Sequence, residues 1–335
     1  MASRLFYLFV IAMLAAVPAL AADKDDAGAA PVPSIQKDKL KDEGPEEPVD
    51  DNRMQMPDMP KQHPEEKPVH AEAHGKPHDA AAEESYGPVT LGARLEPEGK
   101  LEKGKEASFF LTLLNKDQAA VKPDELVERH TKKLHLLVLD DRMTDYQHLH
   151  PESAGDRWRF SFTPRTAHDY KIWADVQVKG EAPQMMAILL KGAEPCKESC
   201  VDNMPVMKAE FSGNKAELSF TGGPVAGTPA EGKVSIVSAD GKPLEDLEPV
   251  MGAYAHIAAF TGDFRNLAHV HPMGAAPEKE KDRGAAPLSF MLHPEKPGVL
   301  KLFVQIKVDG ENVFLPFSAE VKEPEAPAAA LPPAK

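Results

Sequence analysis

The stretch His135-Leu-Leu-Val-Leu-Asp-Asp-Arg-Met-Thr-Asp-Tyr-Gln-His148-Leu-His150-Pro151 returns later in the chain as His256-Ile-Ala-Ala-Phe-Thr-Gly-Asp-Phe-Arg-Asn-Leu-Ala-His269-Val-His271-Pro272. Laid over each other without a gap, the two copies share three histidines and the closing proline, and in both an apolar run follows the first histidine. A duplicated segment lets one chain be compared with itself, so what both copies keep is informative. Leu134 to Leu139 and Ala255 to Phe260 are short apolar runs bounded by turn residues, which predicts buried strands. His148 and His150 are two apart, so in an extended segment they share a face, and Pro151 biases His150 towards extended geometry. An even-numbered hairpin loop over Asp141 to Thr144 sets His135 opposite His150, and opposed residues of an antiparallel pair share a face at roughly 5 Å between Cβ atoms. Three imidazoles then converge on one point in each copy, a donor set suited to Cu(II) or Zn(II). Against this stands a plainer reading, in which the histidines are structural groups at the end of a β-sandwich.

Around these motifs the sequence divides into segments. Residues 1–21 have a charged start at Arg4, an apolar run from Leu5 to Ala16 and the small-residue site Ala19-Leu20-Ala21, which together predict a secretory signal peptide. The apolar run is short for a membrane span. A periplasmic or secreted chain with no membrane span after cleavage is the expectation. Residues 22–86 are predicted to be disordered: Asp23 to Tyr86 holds 17 acidic against 8 basic residues, so most of the chain's −14 sits there. This charge argues against nucleic acid as a partner. Within the arm Met54, Met56, Met59, His63, His70, His74 and His78 stand in otherwise polar sequence. Thioethers select Cu(I) and imidazoles take Cu(II) or Zn(II), so the arm is either a flexible copper collector or a compositionally biased linker.

Residues 87–192 read as a first all-β domain. Its candidate strands are Val89 to Leu95, Ala107 to Leu114, Leu134 to Leu139, Trp158 to Phe162, Tyr170 to Val178 and Met186 to Leu190. Alternation is clear in Trp158-x-Phe160-x-Phe162, and turns are rich in Gly and Pro, which indicates an antiparallel sandwich. Asp124 to Arg129 suggests a helical turn, and His130 and His168, outside the repeated pattern, read as surface residues.

Residues 193–208 link the domains and hold the two cysteines, Cys196 and Cys200, with Met204 and Met207 beyond them. In an exported chain a local disulfide is the default. The alternative is a Cys-x-x-x-Cys copper site assisted by the two methionines. Residues 209–322 form the second copy, followed by a Pro/Ala-rich tail over 323–335. The repeat extends past the histidines, with Tyr170 matching Leu300, Lys171 matching Lys301, Trp173 matching Phe303 and Val178 matching Val308. The spacing is 121 residues at the histidine motif and 130 here, which predicts a nine-residue insertion around Gly274 to Ala286 as an exposed loop. Met251 reads as core and Met273 as loop, and either could serve as an axial thioether.

The pattern His135…His148-Leu-His150-Pro151 with Tyr170-Lys-Ile-Trp beyond it resembles the YtkA-like family of exported immunoglobulin-like domains, which are similar in architecture to CopC-type periplasmic copper-binding sandwiches. The resemblance covers both copies. It implies two tandem antiparallel immunoglobulin-like β-sandwiches in the cell envelope, a copper or heavy-metal context, and metal-facing roles for His135, His148, His150, His256, His269 and His271.

The expected function is copper sequestration, resistance or transfer, with zinc as the other candidate ion and another envelope copper protein as a candidate partner. A metal-free tandem interaction module is the alternative. Catalysis is not expected, because no nucleophile elbow is present and no general base is repeated beside the histidines: Asp145 and Asp263 do not align.

Overall fold

In the computed structural model the described residues are 86–197 and 200–325. The signal-peptide, arm and tail expectations, including Met54, Met56, Met59, His63, His70, His74 and His78, lie outside them.

The first sandwich contains β1 (Gly92–Pro97), β2 (Ala107–Leu114), β3 (Leu134–Asp140), β4 (Tyr146–Leu149), β5 (Glu152–Ala154), β6 (Arg157–Phe162), β7 (Tyr170–Val176) and β8 (Gln184–Leu190). One sheet runs β1-β2-β6-β5 and the other β4-β3-β7-β8, all antiparallel. In immunoglobulin lettering these are an ABED sheet and a C′CFG sheet. The second sandwich contains β9 (Lys208–Phe211), β10 (Asn214–Phe220), β11 (Ala230–Val237), β12 (His256–Thr261), β13 (Leu267–Val270), β14 (Leu288–Leu292), β15 (Gly298–Val308) and β16 (Glu311–Val321). Its sheets run β14-β11-β10-β9 and β13-β12-β15-β16. The first sandwich's β5 has no counterpart here. Its place is taken by the longer connection from β13 to β14, mostly exposed over 274–283. The one helical element among the described residues is a single 3-10 turn, Pro123–Glu125, where the sequence suggested a longer one. No described helix is long and apolar enough to cross a membrane.

Alternation along the central strands explains their continuous burial. On β3, Leu134, Leu136 and Val138 join the core of the first sandwich, while Leu137 and Leu139 join a separate apolar cluster. On β12, Ile257 and Ala259 face the second core, and Ala258 and Phe260 enter that same separate cluster. The shared cluster is the interface between the two C′CFG sheets. There Tyr146 stacks on Phe303 at 4.7 Å between ring centroids, and Trp173 meets Phe260 at 5.0 Å. Aromatic pairs of this kind add roughly 0.5–1.5 kcal/mol each beyond the area they bury. The sequence left open whether the two domains touch. They pack through equivalent faces, related by an approximate twofold.

The hairpin tips reinforce this packing. The β12–β13 turn, with Phe264 at a left-handed φ of 59°, reaches across to the first sandwich. Phe264 lies 5.3 Å from Trp173, and its carbonyl accepts a hydrogen bond from the Lys171 ammonium. Met143 holds the equivalent left-handed place in the β3–β4 turn, with φ 57°.

Candidate metal centre

The hairpins set the histidines. The β3–β4 ladder pairs Leu136 with Leu149 and Leu137 with His148, so one step further His135 comes level with His150, their rings 5.0 Å apart. The four-residue loop Asp141 to Thr144 has the even length this register needs. The Asp140 carboxylate holds it, accepting from the backbone N–H of Thr144 at 2.7 Å and of Asp145 at 2.9 Å. In the second copy β12 pairs Ile257 with Val270, which brings His256 level with His271, rings 4.5 Å apart. Here the Thr261 hydroxyl replaces the Asp140 carboxylate, accepting from the Asn266 N–H at 3.1 Å.

Each triad gathers one ring nitrogen per histidine, all within 4.8 Å of one another. His135, His148, His256 and His269 are each 3% exposed or less. They point from the C′CFG sheets into the boundary between the sandwiches.

The ring tautomers follow from the outer partners. His135 donates its Nε2–H to the Arg129 carbonyl at 3.0 Å, and His148 donates its Nδ1–H to the Gln305 side-chain oxygen at 2.9 Å. In neutral rings both protons are then committed outward. The inward atoms, His135 Nδ1 and His148 Nε2, are lone-pair acceptors facing each other at 3.2 Å. Beside them the buried His150 Nε2 has no hydrogen-bond partner. The second triad repeats the arrangement. His256 donates its Nε2–H to the Val250 carbonyl at 2.9 Å, and the His269 Nδ1–H points at the Asp175 carboxylate at 3.5 Å. His256 Nδ1 then lies 3.1 Å from His269 Nε2 and 3.0 Å from His271 Nε2.

These spacings fit a bound ion. With nitrogens at about 2.0–2.1 Å from an ion, adjacent ligands sit roughly 2.9 Å apart at a right angle and 3.3 Å apart in a tetrahedron. Four of the rings, His135, His148, His150 and His256, are also held neutral. Burial pushes the His135 imidazole down to about 4, against the raising effect of the Arg129 carbonyl, and pushes His150 down to about 3, helped by the repulsion a second proton would meet from His135, Lys132 and His269. Burial likewise drives His148 and His256 well below the ordinary histidine range. A proton is therefore a poor occupant of the space between the paired lone pairs.

The outer partners cross the domain boundary. Asp175 on β7 of the first sandwich supports His269 of the second, and Gln305 on β15 of the second supports His148 of the first. Asp175 pairs with His135 across the β3–β7 ladder, and Gln305 pairs with His256 across β12–β15, so the two hold equivalent positions. Burial raises the Asp175 carboxyl, but bonds from His269, the Arg129 guanidinium at 2.6 Å and the Tyr86 hydroxyl at 2.8 Å hold it below its usual range. Gln305 instead donates to Asn312 at 3.2 Å. The repeat alignment already spans both residues. The signal for them was a polar residue at the same place in the apolar stretches Ile172–Val176 and Leu302–Ile306.

Other candidate residues are placed differently. Cys196 and Cys200 form a disulfide, so neither offers a thiolate; this removes Cys196 from a further grouping with Asp141 and His168. Met204 is exposed, Met207 packs on the second core, and Met273 is half-buried just past His271. Two expectations need correction. Met251 is a half-buried turn residue with a left-handed φ of 48°, not core. His130 is not a detached surface residue: it is half-buried, and its ring centroid lies 4.2 Å from that of His271 in the other sandwich. His168 is also half-buried, its Nδ1–H donating to the Glu194 carbonyl at 2.6 Å.

Similar solved structures include red sea bream transglutaminase, at 10% identity over 71% of this chain and 32% of that one, with a TM-score of 0.20. Escherichia coli alpha-2-macroglobulin activated by porcine elastase matches at 13% identity over 72% and 22%, TM-score 0.22. The fibronectin(III)-like modules of Clostridium thermocellum CbhA match at 11% identity over 69% and 95%, TM-score 0.17. The chain spans about a third of the transglutaminase and less of the macroglobulin. No curated protein matches the sequence. One family model matches twice, over residues 89–189 and 209–323, once on each sandwich, and the chain belongs to that family, described as "Domain of unknown function (DUF8832)".

Proposed function

We propose that this protein binds transition-metal ions at the two three-histidine centres, and that it sequesters or hands over copper, with zinc as the second candidate. What supports the reading is the duplicated pair of inward-facing lone pairs: His135 Nδ1 with His148 Nε2, and His256 Nδ1 with His269 Nε2. Metal-bound histidines commonly donate their other N–H to a carbonyl or carboxylate, and all four of these rings do so or face one. Three imidazoles suit Cu(II) or Zn(II). The preference for copper comes from the sequence alone, from the methionines and histidines between Met54 and His78. Ligand exchange needs no catalytic residue, so we read the protein as a carrier or store rather than an enzyme. The signal-like N-terminus and the YtkA-like resemblance favour the cell envelope as its location.

Calorimetric titration of the chain from Ala22 onward with Cu(I), Cu(II) and Zn(II) tests this, repeated on a chain lacking residues 22–86. Binding that survives the truncation and is lost in the double variant His148→Ala, His269→Ala places the ions at the triads. Binding lost with the arm alone makes the sandwiches a scaffold. No binding by either chain leaves a metal-free interaction module.

A further inference from the structure

Residues 130 and 251 are equivalent in the repeat. Each follows the carbonyl that anchors the first ligand of its sandwich, Arg129 for His135 and Val250 for His256. Each adopts a left-handed backbone, with φ 49° at His130 and 48° at Met251. That conformation is uncommon for side chains of this kind, so its recurrence marks a turn shaped to aim one residue. In the first sandwich the residue so aimed is a histidine. Its ring lies nearest the second triad, with centroids 4.2 Å from His271, 6.1 Å from His256 and 6.3 Å from His269, while His135 of its own sandwich is 6.1 Å away. His256 and His269 are themselves 5.3 Å apart, so His130 stands 0.8 and 1.0 Å farther from them than they stand from each other; His148 comes as near to those two, at 5.8 and 5.7 Å, and it is the close approach to His271 that sets His130 apart. An adjustment of side-chain torsions covers such a gap.

We propose that His130 is a fourth ligand of the second centre, donated from the first sandwich, so that an ion bound there clasps the two sandwiches together. The proposal rests on the reading of the triads as metal centres. The first sandwich would then supply this centre with a ligand as well as the outer carboxylate of Asp175. The turn that carries His130 is tied to that carboxylate, because the Arg129 guanidinium binds Asp175 at 2.6 Å. The first centre receives no fourth imidazole by this route, since its equivalent residue is Met251. The two centres therefore differ in donor set: four nitrogens in the second, three in the first.

Cu(II) electron paramagnetic resonance and Zn(II) competition titrations on the full mature chain test this. In a His148→Ala background, where only the second centre is intact, the copper signal should report four nitrogens. Adding His130→Ala should reduce the count to three and weaken Zn(II) by at least about tenfold, since even outer partners of ligands are worth that much. His130→Gln, which keeps a polar side chain of similar reach, should give the same loss and guards against a folding artefact. In the otherwise wild-type chain, His130→Ala should leave the affinity of the first centre unchanged. An unchanged nitrogen count and affinity in both variants overturns the proposal while leaving the triads standing. A wild-type chain that binds no ion overturns both.

Discussion

Asp175 and Gln305 occupy the same place in their sandwiches but offer different acceptors to the histidine each supports. A carboxylate makes its ring a stronger donor to a metal than an amide oxygen does, and outer partners of this kind are worth about 10–100-fold in affinity. We expect Asp175→Asn to weaken the second centre by that range and to leave the first within about twofold, as read by competition titration with each triad removed in turn. The same residue scale sets the acid response of the metal-free protein. Burial holds His135 at about 4 and His150 at about 3, below the ordinary 6.5, so as pH falls the unfolded chain takes up protons first. Stability should be full above pH 6.5 and decline from there towards pH 3, by up to about 1.4 kcal/mol per pH unit for each group. His148 and His256 shift in the same direction and steepen the loss. Denaturant midpoints at pH 7.5, 6 and 5 check this; a flat profile would contradict the buried neutral rings.

At the scale of the element, everything depends on hairpin parity. Inserting one glycine into the Asp141 to Thr144 loop reverses the face of each residue on β4 or breaks the pairing, because side chains alternate with a period of two. Ion stoichiometry should fall from two to one, the second hairpin being untouched. This is also where the sequence was most legible. The spacing from His135 to His150, with an even loop, carried the register that the β3–β4 ladder adopts. Alternation in Trp158-x-Phe160-x-Phe162 likewise placed β6. Three-residue β5 was not legible, because a strand that short has no measurable period. His130 escaped for a different reason. Its place comes from a left-handed turn and from a triad 141 residues further on at His271, neither of which local pattern encodes.

At the scale of the whole molecule, the interface and the two histidine triads are one structure. Phe303→Ala removes the stacking partner of Tyr146 and should cost about 3–5 kcal/mol. It should also weaken both centres together, since each leans on the other sandwich; affinities that stay put would show that the triads work independently. Ion binding should act in reverse. At a free ion concentration of roughly 100 times Kd, each occupied centre adds about 2.7 kcal/mol, raising Tm by roughly 5–10 °C for two domains of this size. Calorimetric scans with and without chelator measure it. The interface was hidden in the sequence because continuous apolar strands such as β3 look the same whether their second face meets a helix, a sheet or another domain.

The crossed supports at Asp175 and Gln305 also bear on what joining the two halves allows. One sandwich alone carries a triad but lacks half of its surroundings. Two identical copies related by a twofold axis would supply each other, as isologous dimers do. The present chain has the form of such a dimer joined head to tail, in which the link through Cys196 and Cys200 replaces a concentration-dependent encounter with a local one. Joined in one chain, the halves need not match. Histidine could stand at 130 and methionine at 251, aspartate at 175 and glutamine at 305. A symmetric dimer of identical copies has no means of making two unlike sites, and a single chain with two copies does.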